Sequence, residues 1–179
     1  GFVIRYNSPI NAKDQLKGLE DTYDAIFIGV GLGKTRQLGI DGEDKNGVIG
    51  AVEFIEELRM KQHEVKVPAK VVVLGGGNTA MDAASEAARM GARKTVLAYR
   101  NSKEKMGAYG FEYDLAISAG VDSLFNVTPV AIVGKERLEG VRFAKTEMID
   151  GTLKTNMNNT FIVRCDMVIK ATGQAKQGH

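Results

Sequence analysis

The 179-residue chain has a single cysteine, Cys165, so no disulfide can form within it and no CxxC redox pair exists. It has two histidines, His63 and His179, and Cys and His alone therefore build none of the usual zinc sites. No apolar run approaches the ~18–20 residues that span a bilayer. The start, Gly1 to Arg5, lacks the basic stretch and apolar core of a signal peptide. The net charge of +2 is too small to point to nucleic acid or an anionic membrane surface. A lone cysteine fits a reducing compartment, and the expected location is cytoplasmic.

Glycine is plentiful. The chain has 21, clustered at Gly29, Gly31 and Gly33 and again at Gly75, Gly76 and Gly77. Clustered glycine after an apolar strand lets the backbone approach something closely. The hydrophobic share of 44% and charged share of 26% are those of a globular domain.

Periodicity divides the chain. Strands are expected over 2–6 and 24–30, with a short helix between them. A polar Gly-rich loop, 39–47, leads to a helix over 51–61 whose apolar stripe is Val52, Ile55 and Leu58. Residues 63–66 are polar, and Pro68 bars a continuing helix, so a linker is expected there. Residues 69–99 then read as one βαβ unit: strand 70–74, an Ala-rich helix over 79–90 ended by Gly91, and strand 95–99. A helix over 109–119 follows, with Phe111, Leu115 and Ser118 as a packed face and Glu112 and Asp114 as surface charges. Short strands at 123–125, 130–133, 140–143 and 160–163 read as a meander, with a last strand over 167–171. The expected fold class is α/β, a Rossmann-like parallel sheet with a β-meander.

The strongest motif is Gly75-Gly76-Gly77-Asn78-Thr79-Ala80, a G-x-G-x-x-A match. In such a turn Gly75 makes the tight bend, Gly77 lets a pyrophosphate approach, and Ala80 must be small where helix meets strand. The anion would sit on free N–H groups at the helix start. The context of strand, turn and Ala-rich helix strengthens the motif; its bland alternative is a Gly-rich turn without a ligand. At the end of the next strand an NAD site carries Asp or Glu. Here stand Arg100, Lys103 and Lys105 with one acid, Glu104, which favours NADPH over NADH through a guanidinium fork on the 2′-phosphate. An exposed basic loop is the bland alternative. Thr79 with Asp82 fits a helix-start capping pattern, so Asp82 is read as structural. Cys165 reads as core, and neither His63 nor His179 makes a convincing base.

Val71 to Asp82 followed by Tyr99-Arg100 resembles the pyridine-nucleotide domain of a flavoprotein family that includes the small subunit of glutamate synthase and the flavin module of dihydropyrimidine dehydrogenase. Tyr23 to Lys34, Gly39 to Glu43, and Cys165 to Gln174 are similar to that family as well; Met106 to Tyr109 with Glu112 lean toward the dihydropyrimidine dehydrogenase type. The resemblance implies an NAD(P)H domain inserted into an FAD domain. Residues 1–67 would end the first FAD segment, 68–168 form the NAD(P)H domain, and 169–179 begin the return. It implies that Gly31, Thr172 and Gly173 also contact cofactor. The chain is expected to be a fragment that holds the nicotinamide half and no FAD by itself. The full enzyme would pass a hydride from NADPH to FAD and electrons onward to an iron–sulfur or catalytic partner subunit; one cysteine holds no cluster. No catalytic side chain is expected, because the cofactors carry the chemistry. The rival classes are an NADPH-binding sensor and a single-domain dehydrogenase; the latter needs a proton-donor pair that these residues do not supply.

Overall fold

A computed structural model describes residues 1–29, 33–61 and 64–174. Gly31, His63 and His179, singled out above, lie outside the described residues. The chain divides into two compact units, Gly1–Gly31 and Leu32–His179.

The first unit contains helix α1 (Lys13–Glu20). Its start is closed by Gln15, whose Oε1 accepts the N–H groups of Asn11 (2.8 Å) and Ala12 (3.1 Å). The strands expected over 2–6 and 24–30 are not formed at residues 2–6 or 24–29. An apolar run becomes a strand only where a ladder partner satisfies its N–H and C=O groups. Within this unit no second strand lies beside either segment among the described residues. Phe2, Val3, Phe27 and Ile28 are exposed accordingly.

The second unit has three layers. Its centre is a parallel sheet of β1 (Val48–Gly50), β2 (Lys70–Leu74), β3 (Lys94–Ala98), β4 (Val121–Leu124) and β8 (Met167–Lys170), in the order β1-β8-β2-β3-β4. Helices α2 (Ala51–Met60), α3 (Asn78–Arg89) and α4 (Gly110–Ser118) cover one face. The other face meets a three-stranded antiparallel meander of β5 (Val127–Val133), β6 (Gly140–Ile149) and β7 (Thr152–Arg164). The expected α/β class with a meander is therefore what the chain forms.

β2 shows why its sequence is apolar without interruption. Side chains alternate across a strand. Val71 and Val73 pack toward the helices, while Val72 and Leu74 pack toward the meander. Both faces are covered, so both sets must be apolar. Burial of each such side chain contributes about 1.5–3 kcal/mol.

Several local expectations are corrected. On α2 the buried stripe is Ala51, Phe54 and Leu58, with Ile55 beside it, an i, i+3, i+7 face; Val52 lies at its margin. On α4, Tyr113 and Ala116 are buried, whereas Phe111 (61% exposed), Leu115 (50%) and Ile117 (41%) face outward. Only one side of that helix meets α3, and Tyr113 and Ala116 are the pair that faces it. The meander is longer than the pattern indicated. β7 runs 13 residues rather than 4, because its polar stretch Thr152–Asn156 pairs with β6 around a turn at Asp150-Gly151. β1 and α2, before residue 67, join the same sheet and helix layer as β2 and α3, and the 168/169 boundary falls inside β8. Cys165 is buried as core, and burial, with the charge of Asp166, pushes its thiol up to about 12.

Candidate dinucleotide site

The strand order reverses beside β2, where β3 follows on one side and β8 returns on the other. In open parallel sheets ligands collect at the carboxyl ends of the strands at such a switch. Three cavities lie there. One of about 460 Å³ is lined by Gly75, Gly76, Tyr99, Arg100, Thr172 and Arg36, among others. A second, of about 340 Å³, meets the first at Ala171 and is lined by Gly77, Thr79, Gly173, Thr35 and Lys170. A third, of about 500 Å³, opens between Arg100 and Lys105 on one side and the β6–β7 hairpin on the other. A further cavity between α2 and α3 holds Asp82 and Glu86 and lies away from the strand ends.

The glycine turn has three different neighbours. Gly75 has φ +147° and packs on the carbonyl of Ala171, where a Cβ would collide with the backbone. A Cβ on Gly76 would lie 2.5 Å from the Tyr99 ring. Above Gly77 there is open space, with nothing within 4 Å of a Cβ position. Ala80 is fully buried between α3 and the sheet. Of the three glycines, Gly77 is thus the one whose missing side chain leaves room for a ligand.

The capping expected from Thr79 and Asp82 does not form. α3 begins at Asn78 with Gly77 at its N-cap and no side-chain cap, so Thr79 already lies inside the first turn. Asn78 turns elsewhere: its Oδ1 accepts the N–H of Tyr109 at 3.0 Å and ties α3 to the start of α4. Among the described residues the N–H groups of Gly77, Asn78 and Thr79 have no acceptor. An anion above Gly77 would meet these donors and the positive end of the helix dipole.

The loop after β3 is rigid in its backbone and charged in its side chains. The Arg100 carbonyl accepts the Thr146 hydroxyl at 2.6 Å, the Asn101 carbonyl accepts the Asn126 N–H at 3.1 Å, and the Tyr99 hydroxyl donates to the Lys105 carbonyl at 2.8 Å. The Arg100 side chain is exposed and lines two cavities; Lys105 lines one of them. Lys103 is not brought to them. Its ammonium lies 4.4 Å from the Tyr113 ring centroid, a cation–π contact.

Two carboxylates that sequence reasoning did not single out hold the segment from Thr35 to Gly39. Glu43 accepts the N–H groups of Leu38 (2.7 Å) and Gly39 (2.8 Å) and pairs with Lys170 at 2.6 Å. Burial acts to raise its pKa, but the Lys170 ammonium and the two N–H groups outweigh burial and hold it below the usual value. Glu53 of α2 accepts the Thr35 hydroxyl (2.7 Å) and N–H (3.1 Å). Burial again opposes and those bonds prevail, so its carboxyl is also lowered. No periodic or motif signal marks Glu43 as the partner of Lys170, which lies 127 residues away.

A parallel sheet that reverses order at β2, with an uncapped helix start behind a glycine turn, is a Rossmann-like arrangement. A family model for pyridine nucleotide-disulphide oxidoreductases matches residues 6–177, and the chain belongs to that family. It is 35% identical over 184 residues to the β subunit of NADP(+)-dependent formate dehydrogenase of Moorella thermoacetica, covering 98% of this chain and 26% of that one. It is 33% identical over 191 residues to the small chain of NADPH glutamate synthase of Escherichia coli (strain K12), covering 97% and 40%. The chain thus spans about a quarter to two fifths of the length of these relatives. Among solved structures, FprA from Mycobacterium tuberculosis in complex with NADPH matches with TM-score 0.67 at 19% identity, over 88% of this chain and 52% of that one. Thioredoxin reductase of T. acidophilum matches with TM-score 0.57 at 17% identity, over 78% and 41%. At these identities the likeness is one of fold.

Proposed function

We propose that this chain is the nicotinamide-nucleotide half of an NADPH-dependent flavoprotein oxidoreductase, and that its own task is to bind NADPH and present the nicotinamide. The observation that carries the reading is the uncapped start of α3 beneath the open space at Gly77. The pyrophosphate would rest on the N–H groups of Gly77, Asn78 and Thr79. Arg100, with Lys105 beside it, would hold the 2′-phosphate through charge-assisted hydrogen bonds. Lys103, engaged by Tyr113, would add little. Thr172 and Gly173 border the cavities toward β8, which suits the nicotinamide end.

Bound NADPH supplies a hydride. The residues of this chain bind and orient it and exclude water; no side chain here is asked to act as acid, base or nucleophile. The hydride acceptor on this reading is FAD, held by flavin-domain segments, and the electrons pass on to an iron–sulfur or catalytic partner subunit. Relatives named as β subunits or small chains support the partner. A glutamate synthase-like role has support from one of them; the final acceptor stays within the same proposal. The test is NADPH-dependent reduction of an artificial dye by the full-length protein. Turnover is expected; binding without turnover would favour a sensor.

A further inference from the structure

β8 is apolar until its last residue. Met167, Val168 and Ile169 pack into the cores on the two faces of the sheet, and Lys170 follows at the carboxyl end, where the crevice opens. Its side chain is 12% exposed. A buried ammonium group needs acceptors for its N–H donors. Among the described residues its one acceptor is Glu43 Oε1, at 2.6 Å. Glu43 is further engaged by the N–H groups of Leu38 and Gly39. Glu53 is taken up by the hydroxyl and N–H of Thr35. There burial opposes ionisation, the Thr35 bonds favour it, and the charge of Lys170 adds to the lowering. The remaining donors of Lys170 thus have no partner among the described residues, and Lys170 lines the 340 Å³ cavity with Gly77, Thr79 and Gly173.

Charge decides which acceptor suits those donors. Around this one cation stand two carboxylates, Glu43 and Glu53, so a further anion at the same place would be repelled. A neutral carbonyl oxygen meets no such repulsion and accepts the same N–H groups. NADPH has one such group at its β8 end on the reading above, the carboxamide of the nicotinamide. We propose that Lys170 orients the nicotinamide: its ammonium, held in place by Glu43, donates to the carboxamide oxygen and fixes which face of the ring is presented. The inference rests on the NADPH reading and names a side chain for the end of the cofactor opposite Arg100.

Calorimetric titration of the full-length protein tests this with three ligands. They are NADPH, its reduced 3-acetylpyridine analogue, which keeps the carbonyl, and 2′-phospho-ADP-ribose, which lacks the ring. Lys170→Met is expected to weaken NADPH and the acetylpyridine analogue by about tenfold and to leave 2′-phospho-ADP-ribose unchanged. A residue that only supported the fold would weaken all three. Lys170→Met leaves Glu43 without its cation, so Lys170→Met combined with Glu43→Gln carries the same test should the single variant fail to fold by circular dichroism. Equal loss for all three ligands, no loss for NADPH, or a loss for NADPH that spares the acetylpyridine analogue overturns the assignment. A wild-type protein that binds none of the three overturns the NADPH reading itself, before any substitution is made.

Discussion

The turn after β2 and the loop after β3 border one crevice with opposite materials. The turn offers backbone: Gly75, Gly76 and Gly77 supply no side chain, and the helix start behind them supplies N–H donors. The loop offers side chains: Arg100 and Lys105 reach out from a backbone pinned by Thr146 and Asn126. Backbone donors at a helix start suit the group that every pyridine dinucleotide shares. Exposed cations suit a group that only one of them carries. On the proposed function, general affinity and cofactor choice would be built separately, on adjacent strand ends, and could be altered one at a time.

The largest effect should come from filling the space above Gly77. A Cβ at Gly77 meets no atom within 4 Å, and the φ of −100° accepts a branched residue, so Gly77→Val should keep its fold by circular dichroism. Loss of two charge-assisted hydrogen bonds should weaken NADPH and NADH equally, by about 100-fold or more in calorimetry. Gly76→Val, one residue earlier, should do the reverse. Its side chain meets the Tyr99 ring, and overpacking of this kind costs about 1–3 kcal/mol, read as a lower urea midpoint. If the two variants behaved alike, the division of labour within the turn would be wrong.

Arg100→Ala sharpens the other half. It should weaken NADPH by about tenfold, with NADH nearly unchanged, since only NADPH carries the 2′-phosphate. Added salt should narrow the wild-type preference, because the guanidinium is exposed. Equal loss for both cofactors would assign Arg100 to the shared part of the ligand.

The smallest effect concerns the segment opposite. The folded pKa of Glu43 lies below its ordinary value of 4.5. Its contribution to stability is therefore present above that value and lost as pH falls through the folded one. Urea unfolding of wild type and Glu43→Gln should show a gap at pH 7 that closes in acid. A gap that persisted to low pH would deny the carboxylate its part in holding Leu38 and Lys170.

What could be read in the sequence follows from range. The βαβ unit was legible because its signals are local: an apolar strand, three glycines, an Ala-rich helix and Gly91, which does adopt φ +100° beyond α3. The long hairpin was not, since Thr152–Asn156 has Leu153 as its single apolar residue and owes its strand state to pairing with β6; the Asp150-Gly151 turn was the available sign. The strand expected at 24–30 failed for the converse reason, an apolar run without a ladder at its described residues. On α4, the spacing of Phe111 and Leu115 marked a helix face without saying which side would be covered. Within the site, the glycines, Arg100 and Lys105 stood out by type and position. Lys103 could not be separated from them until the Tyr113 ring was located. Glu43 and Glu53 gain their partners only from contacts made in three dimensions.

The open N–H groups at the start of α3 are the centre of the proposed site. Amide NMR of the ¹⁵N-labelled protein during NADPH titration reads them directly. The largest shifts should fall on Gly77, Asn78 and Thr79, and NADH should produce the same pattern there while leaving Arg100 and Lys105 less affected. Binding that left those three amides unmoved would contradict a pyrophosphate seat at the start of α3.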